Sequence, residues 1–213
     1  MESNWASDHL QVIRTLMERA AIYRRALAPV MIYNGCLGLA AAGAGILLRI
    51  LTPQGFILFW AGVAVVGLIG SLLLIRRQAL RDKEPFWSSP TRRVTQALLP
   101  PVVAGFILAV IVLLGAGSNL SSAAQPLATL WLPLSWVVLY GCAFHAAGFF
   151  MPRGMRLFGW LFIAAGCSLF WLASGETALR PEWGYAIMGA FFGLLHLAYG
   201  VYLYFTEPRG DDA

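Results

Sequence analysis

Apolar residues dominate six long stretches of this chain, and polar and charged positions gather in short blocks between them. The stretches run Ala26–Ile50, Gly55–Ile75, Gln96–Gly117, Leu127–Phe150, Met155–Ser174 and Trp183–Phe205. A bilayer-crossing helix needs about 20 apolar residues, so each stretch can cross with some tilt. Ahead of them the pattern changes. Ser7 is placed to cap a helix, and Leu10, Ile13, Leu16, Met17 and Ala20 recur at three- and four-residue spacing. Arg14, Glu18, Arg19 and Arg25 occupy the other side of that segment. An amphipathic helix this near a span is expected to lie along the membrane surface with its arginines at anionic head groups. The pattern therefore predicts an all-α, six-helix transmembrane bundle over residues 26–205. An interfacial helix over 1–25 precedes it, and a short tail over 206–213 follows.

Prolines refine the element ends. Pro29 suits the first turn of its helix, and Pro152 stands where the fourth span should stop. Pro100–Pro101 and Pro133 fall one or two turns inside their spans, which predicts helices that start late or bend.

Composition removes two classes. With 213 residues, 59% hydrophobic and 12% charged, the chain is far more apolar than water-soluble domains. Its 13 Phe, 8 Trp and 7 Tyr are incompatible with a solvated, disordered polymer. The three cysteines, Cys36, Cys142 and Cys167, all lie inside apolar runs, so no disulfide framework is implied. The charged stretch before the first span lacks a short apolar core with a small-residue cleavage site. That span is therefore expected to act as its own insertion signal.

The formal charge of +5 matters through its distribution. Of the 15 Lys and Arg, all but Arg49 and Arg180 fall in one alternate set of connections. That set holds the N-terminal segment, the block containing Arg76, Arg77, Arg81, Lys83, Arg92 and Arg93, the turn with Arg153 and Arg156, and the tail. Positive residues stay on the cytoplasmic side, so both termini are expected inside. The charge is thus accounted for by topology, and no nucleic-acid partner is expected. Arg14, Arg19, Arg25, Arg76, Arg77, Arg92 and Arg93 are candidates for contact with lipid head groups or a cytoplasmic protein.

Helices in lipid associate through small residues and polar contacts. In the first span Asn34, Gly38, Ala41 and Gly45 share a face; in the second Gly67 and Ser71 are four apart; in the sixth Gly189 and Gly193 form a GxxxG. Gly141, Gly148 and Gly200 flank histidines on the fourth and sixth spans. Packing within the chain is the expected use of these stripes, with a homodimer seam as the alternative.

The central parts of the spans hold no Asp, Glu, Lys or Arg, which argues against ion-coupled transport. Their titratable groups are His145 and His196, each sharing a face with glycines three and four residues away. Counted from the basic or acidic end of each helix, the depths of the two rings differ by roughly 4–5 Å. Two imidazoles facing across glycine-lined helices would grip a haem iron or another metal. Cys142, one turn before His145, would permit a Cys/His metal site. The competing expectation is that each histidine is helix-to-helix glue, bonded to Asn34, Ser135, Tyr140 or a backbone carbonyl. No nucleophile elbow, P-loop, zinc-protease helix or dinucleotide fingerprint is present.

The segment His9-Leu10-Gln11-Val12-Ile13-Arg14-Thr15-Leu16-Met17-Glu18-Arg19-Ala20, followed by several spans, resembles bacterial multi-pass membrane proteins with an IRxxMERA-like start. Such proteins look as though they are often encoded beside winged-helix regulators. The resemblance implies a bacterial inner-membrane location and assigns no reaction. Residues and resemblance together lead to the expectation of a non-enzymatic sensor, scaffold or accessory protein. A haem- or metal-binding redox protein using His145 and His196 is the first alternative, and a transporter of a small neutral or lipophilic solute the second.

Overall fold

The computed structural model describes residues 27–81, 83, 86–87, 89–116, 127–151, 153–174 and 182–206. Among them every regular element is helical, and six helices are long and apolar enough to cross a membrane. The protein is therefore multi-pass. We number them α1 (Leu27–Leu47), α2 (Pro53–Arg81), α3 (Ser89–Ala116), α4 (Leu132–Ala147, entered through a π-helical turn over Leu127–Trp131), α5 (Arg153–Ala173) and α6 (Glu182–Thr206). The expected surface helix with Arg14, Arg19 and Arg25, the stop at Pro152 and the tail lie outside the described residues.

The spans sit where the apolar runs placed them, with two instructive departures at their ends. α2 continues to Arg81 and α3 already begins at Ser89, so Arg76, Arg77, Arg92 and Arg93 are helical rather than in a loop. Second, α3 runs without interruption through Pro100 and Pro101, so it does not start late there. Pro133 does mark a change: it occupies the first turn of α4, just after the π turn. A proline has no N–H to close the α-helical ring, and a widened turn is one way a helix absorbs that loss.

The α1–α2 connection shows how local chemistry sets a boundary. Thr52 Oγ1 accepts the N–H of Gly55 at 3.2 Å, an N-cap in front of Pro53 in the first helical position. Arg49 adopts φ 50°, a left-handed conformation that lets the chain reverse within a few residues. The hydroxyl of Tyr185 on α6 donates to the Ile50 carbonyl at 2.8 Å and ties this turn to the last helix.

Among the described residues, packed centres of buried side chains join the helices, and three of them show the arrangement. Ala41, Ala42, Phe56, Trp60, Tyr185 and Met188 join α1, α2 and α6. Val137, Phe158, Phe162 and Phe191 join α4, α5 and α6. Ile57, Ala109, Ala128 and Leu132 join α2, α3 and the start of α4. Much of the apolar surface of α2 and α3 faces outward: only 17% and 11% of their apolar windows are buried, against 44% in α4. Leu68, Ile69, Phe106 and Ile111 on those outer faces are more than half exposed, as lipid-facing side chains must be.

Candidate functional site

The glycines were expected to mark contact faces, and a methyl group built on each shows what it touches. On Gly38 it would strike the Phe192 carbonyl, on Gly35 the Leu197 backbone, on Gly200 the Ile32 backbone and on Gly45 the Tyr185 ring. On Gly189 it would meet Ala42, and on Gly193 Leu39. The first and last helices thus lie backbone to backbone. The GxxxG of α6 packs inside the chain against α1. Gly141 and Gly159 do the same for α4 and α5: methyl groups there would meet the Gly159 carbonyl and the His145 amide. A methyl on Gly148 would strike Arg156 at the α4–α5 turn.

Asn34 turns from this seam to α2. Its amide donates to Ser71 Oγ at 2.8 Å and to its own helix at Val30 O, and Ser71 in turn donates to the Gly67 carbonyl. A side chain on Gly67 would collide with Asn34 Oδ1. Beside it the Tyr33 hydroxyl donates to the Val66 carbonyl at 3.0 Å, over the bare surface of Gly70. The stripe on α1 therefore serves two neighbours, α2 through Asn34 and α6 through Gly38 and Gly45.

His196 is 1% exposed, enclosed among the rings of Tyr140, Phe144, Phe158, Phe162 and Phe192. Its Nε2 lies 2.8 Å from the Tyr140 hydroxyl on α4, and its Nδ1 lies 2.8 Å from the carbonyl of Phe191. The second contact depends on local backbone geometry. Gly189–Leu195 forms a π-helical stretch, and the His196 N–H closes on Gly193 O rather than on an earlier carbonyl. The ring then reaches the carbonyl five residues back. The alternative of histidine as helix glue, with Tyr140 or a backbone carbonyl as partner, describes this arrangement; the carbonyl belongs to the histidine's own helix.

His145 points elsewhere. Tyr140 and Phe144 face His196, and His145, the next residue, is turned about 100° around the helix. Its ring packs edge-on against Trp160 on α5 and Phe149 below it, at centroid distances of 5.1 and 5.5 Å. Nδ1 of His145 is buried with no hydrogen-bond partner among the described residues, a property shared with Nε1 of Trp60. The two imidazoles do not confront each other across a shared pocket. Both His196 nitrogens are engaged by protein atoms, Tyr140 Oη and Phe191 O. Nor do Cys142, His145 and His196 converge: among the described residues no three His, Cys, Asp or Glu gather as metal ligands do. Neighbouring depths along two helices do not by themselves bring the two rings together; rotation about the helix axis turns them to different neighbours. Ser135, another expected partner, donates to Trp131 O on its own helix.

Two anchors had no signal strong enough to single them out. Trp136 Nε1 donates to the Gly105 carbonyl at 3.0 Å, joining α4 to α3. Tyr185, fully buried, sits on Gly45 with Phe56 edge-on at 5.0 Å. Spacing could have hinted at either only if the partner helix had been known. What the site can do chemically is hold helices in register. The chain matches no family model, and it resembles no curated protein and no solved structure closely enough to register as similar.

Proposed function

We propose that this protein is a non-enzymatic sensor, scaffold or accessory of a bacterial inner membrane, with both termini in the cytoplasm. The observation that carries the reading is the internal use of the polar side chains of the spans. Asn34 with Ser71, Tyr33 with Val66, Trp136 with Gly105 and His196 with Tyr140 are spent on contacts between helices, and Tyr185 with Ile50 on a contact between a helix and a turn. Polar groups committed in this way stabilise an arrangement and offer little to a substrate. The orientation rests on the one-sided distribution of Lys and Arg. The bacterial inner membrane rests on the IRxxMERA-like resemblance. A cytoplasmic or membrane protein partner belongs to the same reading, and nucleic acid does not.

The test uses the full chain, extracted with native lipid. Reporter fusions at the two ends should both signal a cytoplasmic position. The purified protein should absorb only as its aromatic residues do, should carry no solute flux in proteoliposomes, and should bring one protein with it at fixed stoichiometry from repeated preparations. A Soret band lost in His145→Ala and His196→Ala, or saturable solute uptake, would replace this reading with a redox or transport function.

A further inference from the structure

α2 and α3 are longer than a membrane needs. At 1.5 Å per residue their 29 and 28 residues extend about 43 and 42 Å, against a hydrocarbon core of about 30 Å. The excess lies at one end, where α2 finishes and α3 starts, and there the composition changes. From Pro53 to Ile75 α2 carries no charge; Arg76, Arg77 and Arg81 follow on its last turns. α3 carries Arg92 and Arg93 near its start and no charge from Val94 onward. All five arginines are exposed, and so is Lys83 between the helices. Arg76 to Arg81 cover about 7 Å of helix axis, close to the depth of one head-group layer.

The apolar residues among the cations indicate what they meet. Leu80 is 70% exposed and Trp87 61% exposed. A cationic face built to meet a water-soluble acidic protein would leave both in water. At a membrane interface the same residues fit, because tryptophan favours the head-group level and aliphatic chains reach the acyl boundary below it. One-sided charge alone requires only that Lys and Arg occur somewhere in this connection. Here the helices continue into the charged block and hold five arginines at fixed positions.

We propose that the overhanging ends of α2 and α3 form a binding surface for anionic phospholipid head groups, with Arg76, Arg77, Arg92 and Arg93 as its phosphate-binding side chains. A guanidinium meets a phosphate through paired N–H donors, and each surface cation near an anionic leaflet strengthens attachment about fivefold. The surface goes beyond the sensor or scaffold reading and stands even if that reading fails, because it depends on the helix ends and not on a partner.

The experiment is native mass spectrometry of the whole protein released from bilayers of mixed phosphatidylglycerol and phosphatidylcholine. The protein should retain phosphatidylglycerol preferentially. Arg92→Gln with Arg93→Gln should cut that preference at least tenfold, and adding Arg76→Gln with Arg77→Gln should abolish it. Lysine at the same four positions should keep most of it. Cysteine accessibility at the termini confirms that each variant keeps its orientation, and the two-site variant serves if the four-site variant does not insert. Equal retention of both lipids by the unaltered protein, unchanged preference in the glutamine variants, or preference for a soluble polyglutamate peptide over the lipid would overturn the proposal.

Discussion

The Tyr140 hydroxyl and Nε2 of His196 stand 2.8 Å apart across the α4–α6 contact, while Nδ1 of the same ring reaches the Phe191 carbonyl. A carbonyl only accepts, so Nδ1 carries a proton; in the neutral ring Nε2 then accepts from tyrosine. The ring is thereby fixed in tautomer and orientation, inside a shell of aromatic side chains. The first prediction concerns that tautomer. Nitrogen NMR of histidine-labelled protein should show one neutral ring protonated on Nδ1, and Tyr140→Phe should shift its Nε2 signal. A ring protonated on Nε2 alone would contradict the arrangement.

The two histidines should differ in what their loss costs. His196→Leu removes both hydrogen bonds from a position 1% exposed and takes from the Tyr140 hydroxyl its acceptor, a penalty of about 1–3 kcal/mol. His145→Leu removes a ring whose buried Nδ1 has no partner among the described residues, and should cost less than about 1 kcal/mol. Thermal unfolding in one detergent gives the comparison. Equal losses would show that the hydrogen bonds of His196 contribute nothing net.

Glycine substitutions should divide by position. A methyl group at Gly38 meets the Phe192 and Gly193 backbone, which cannot move without displacing α6, so Gly38→Ala should destabilise by about 1–3 kcal/mol. Gly43 lies on the same helix with nothing within 4 Å of an added methyl, and Gly43→Ala should cost nothing. Size-exclusion profiles and melting temperatures of the two variants read the difference. A Gly38→Ala protein as stable as the parent would remove the α1–α6 backbone contact as a source of stability.

Asn34 and Ser71 should behave as a coupled pair. Their 2.8 Å hydrogen bond lies between α1 and α2, where interhelical hydrogen bonds are worth about 0.6–2 kcal/mol. A double-mutant cycle with Asn34→Leu and Ser71→Ala should return a coupling energy in that range. Strictly additive effects would mean that the bond is replaced in the variants or was never net stabilising.

Much of the site could be read from residue type. Glycine next to glycine at helical spacing marked the faces that touch, and the structure uses Gly38, Gly45, Gly141, Gly189, Gly193 and Gly200 for contact. The partner of each face could not be read, because any small-residue stripe fits any other. His145 shows the limit more sharply. Its glycine neighbours matched those of His196 and its depth lay within a turn of it, yet a step of one residue beyond Phe144 turns it onto Trp160. The π stretch at Gly189–Leu195 was also silent in the sequence.

Hydropathy by itself determined six helical crossings, because a backbone in lipid must satisfy its own polar groups and twenty-odd apolar residues are what that environment accepts. The tertiary structure decided the rest. Leu27–Leu47 lies against Glu182–Thr206 although four other spans come between them in the sequence, and that closure buries Tyr185 over Gly45. Lipid gives every apolar face the same welcome. Which faces meet is therefore left to shape: to bare glycine backbones that admit a close neighbour, and to the few polar atoms that find a partner only at one rotation of each helix.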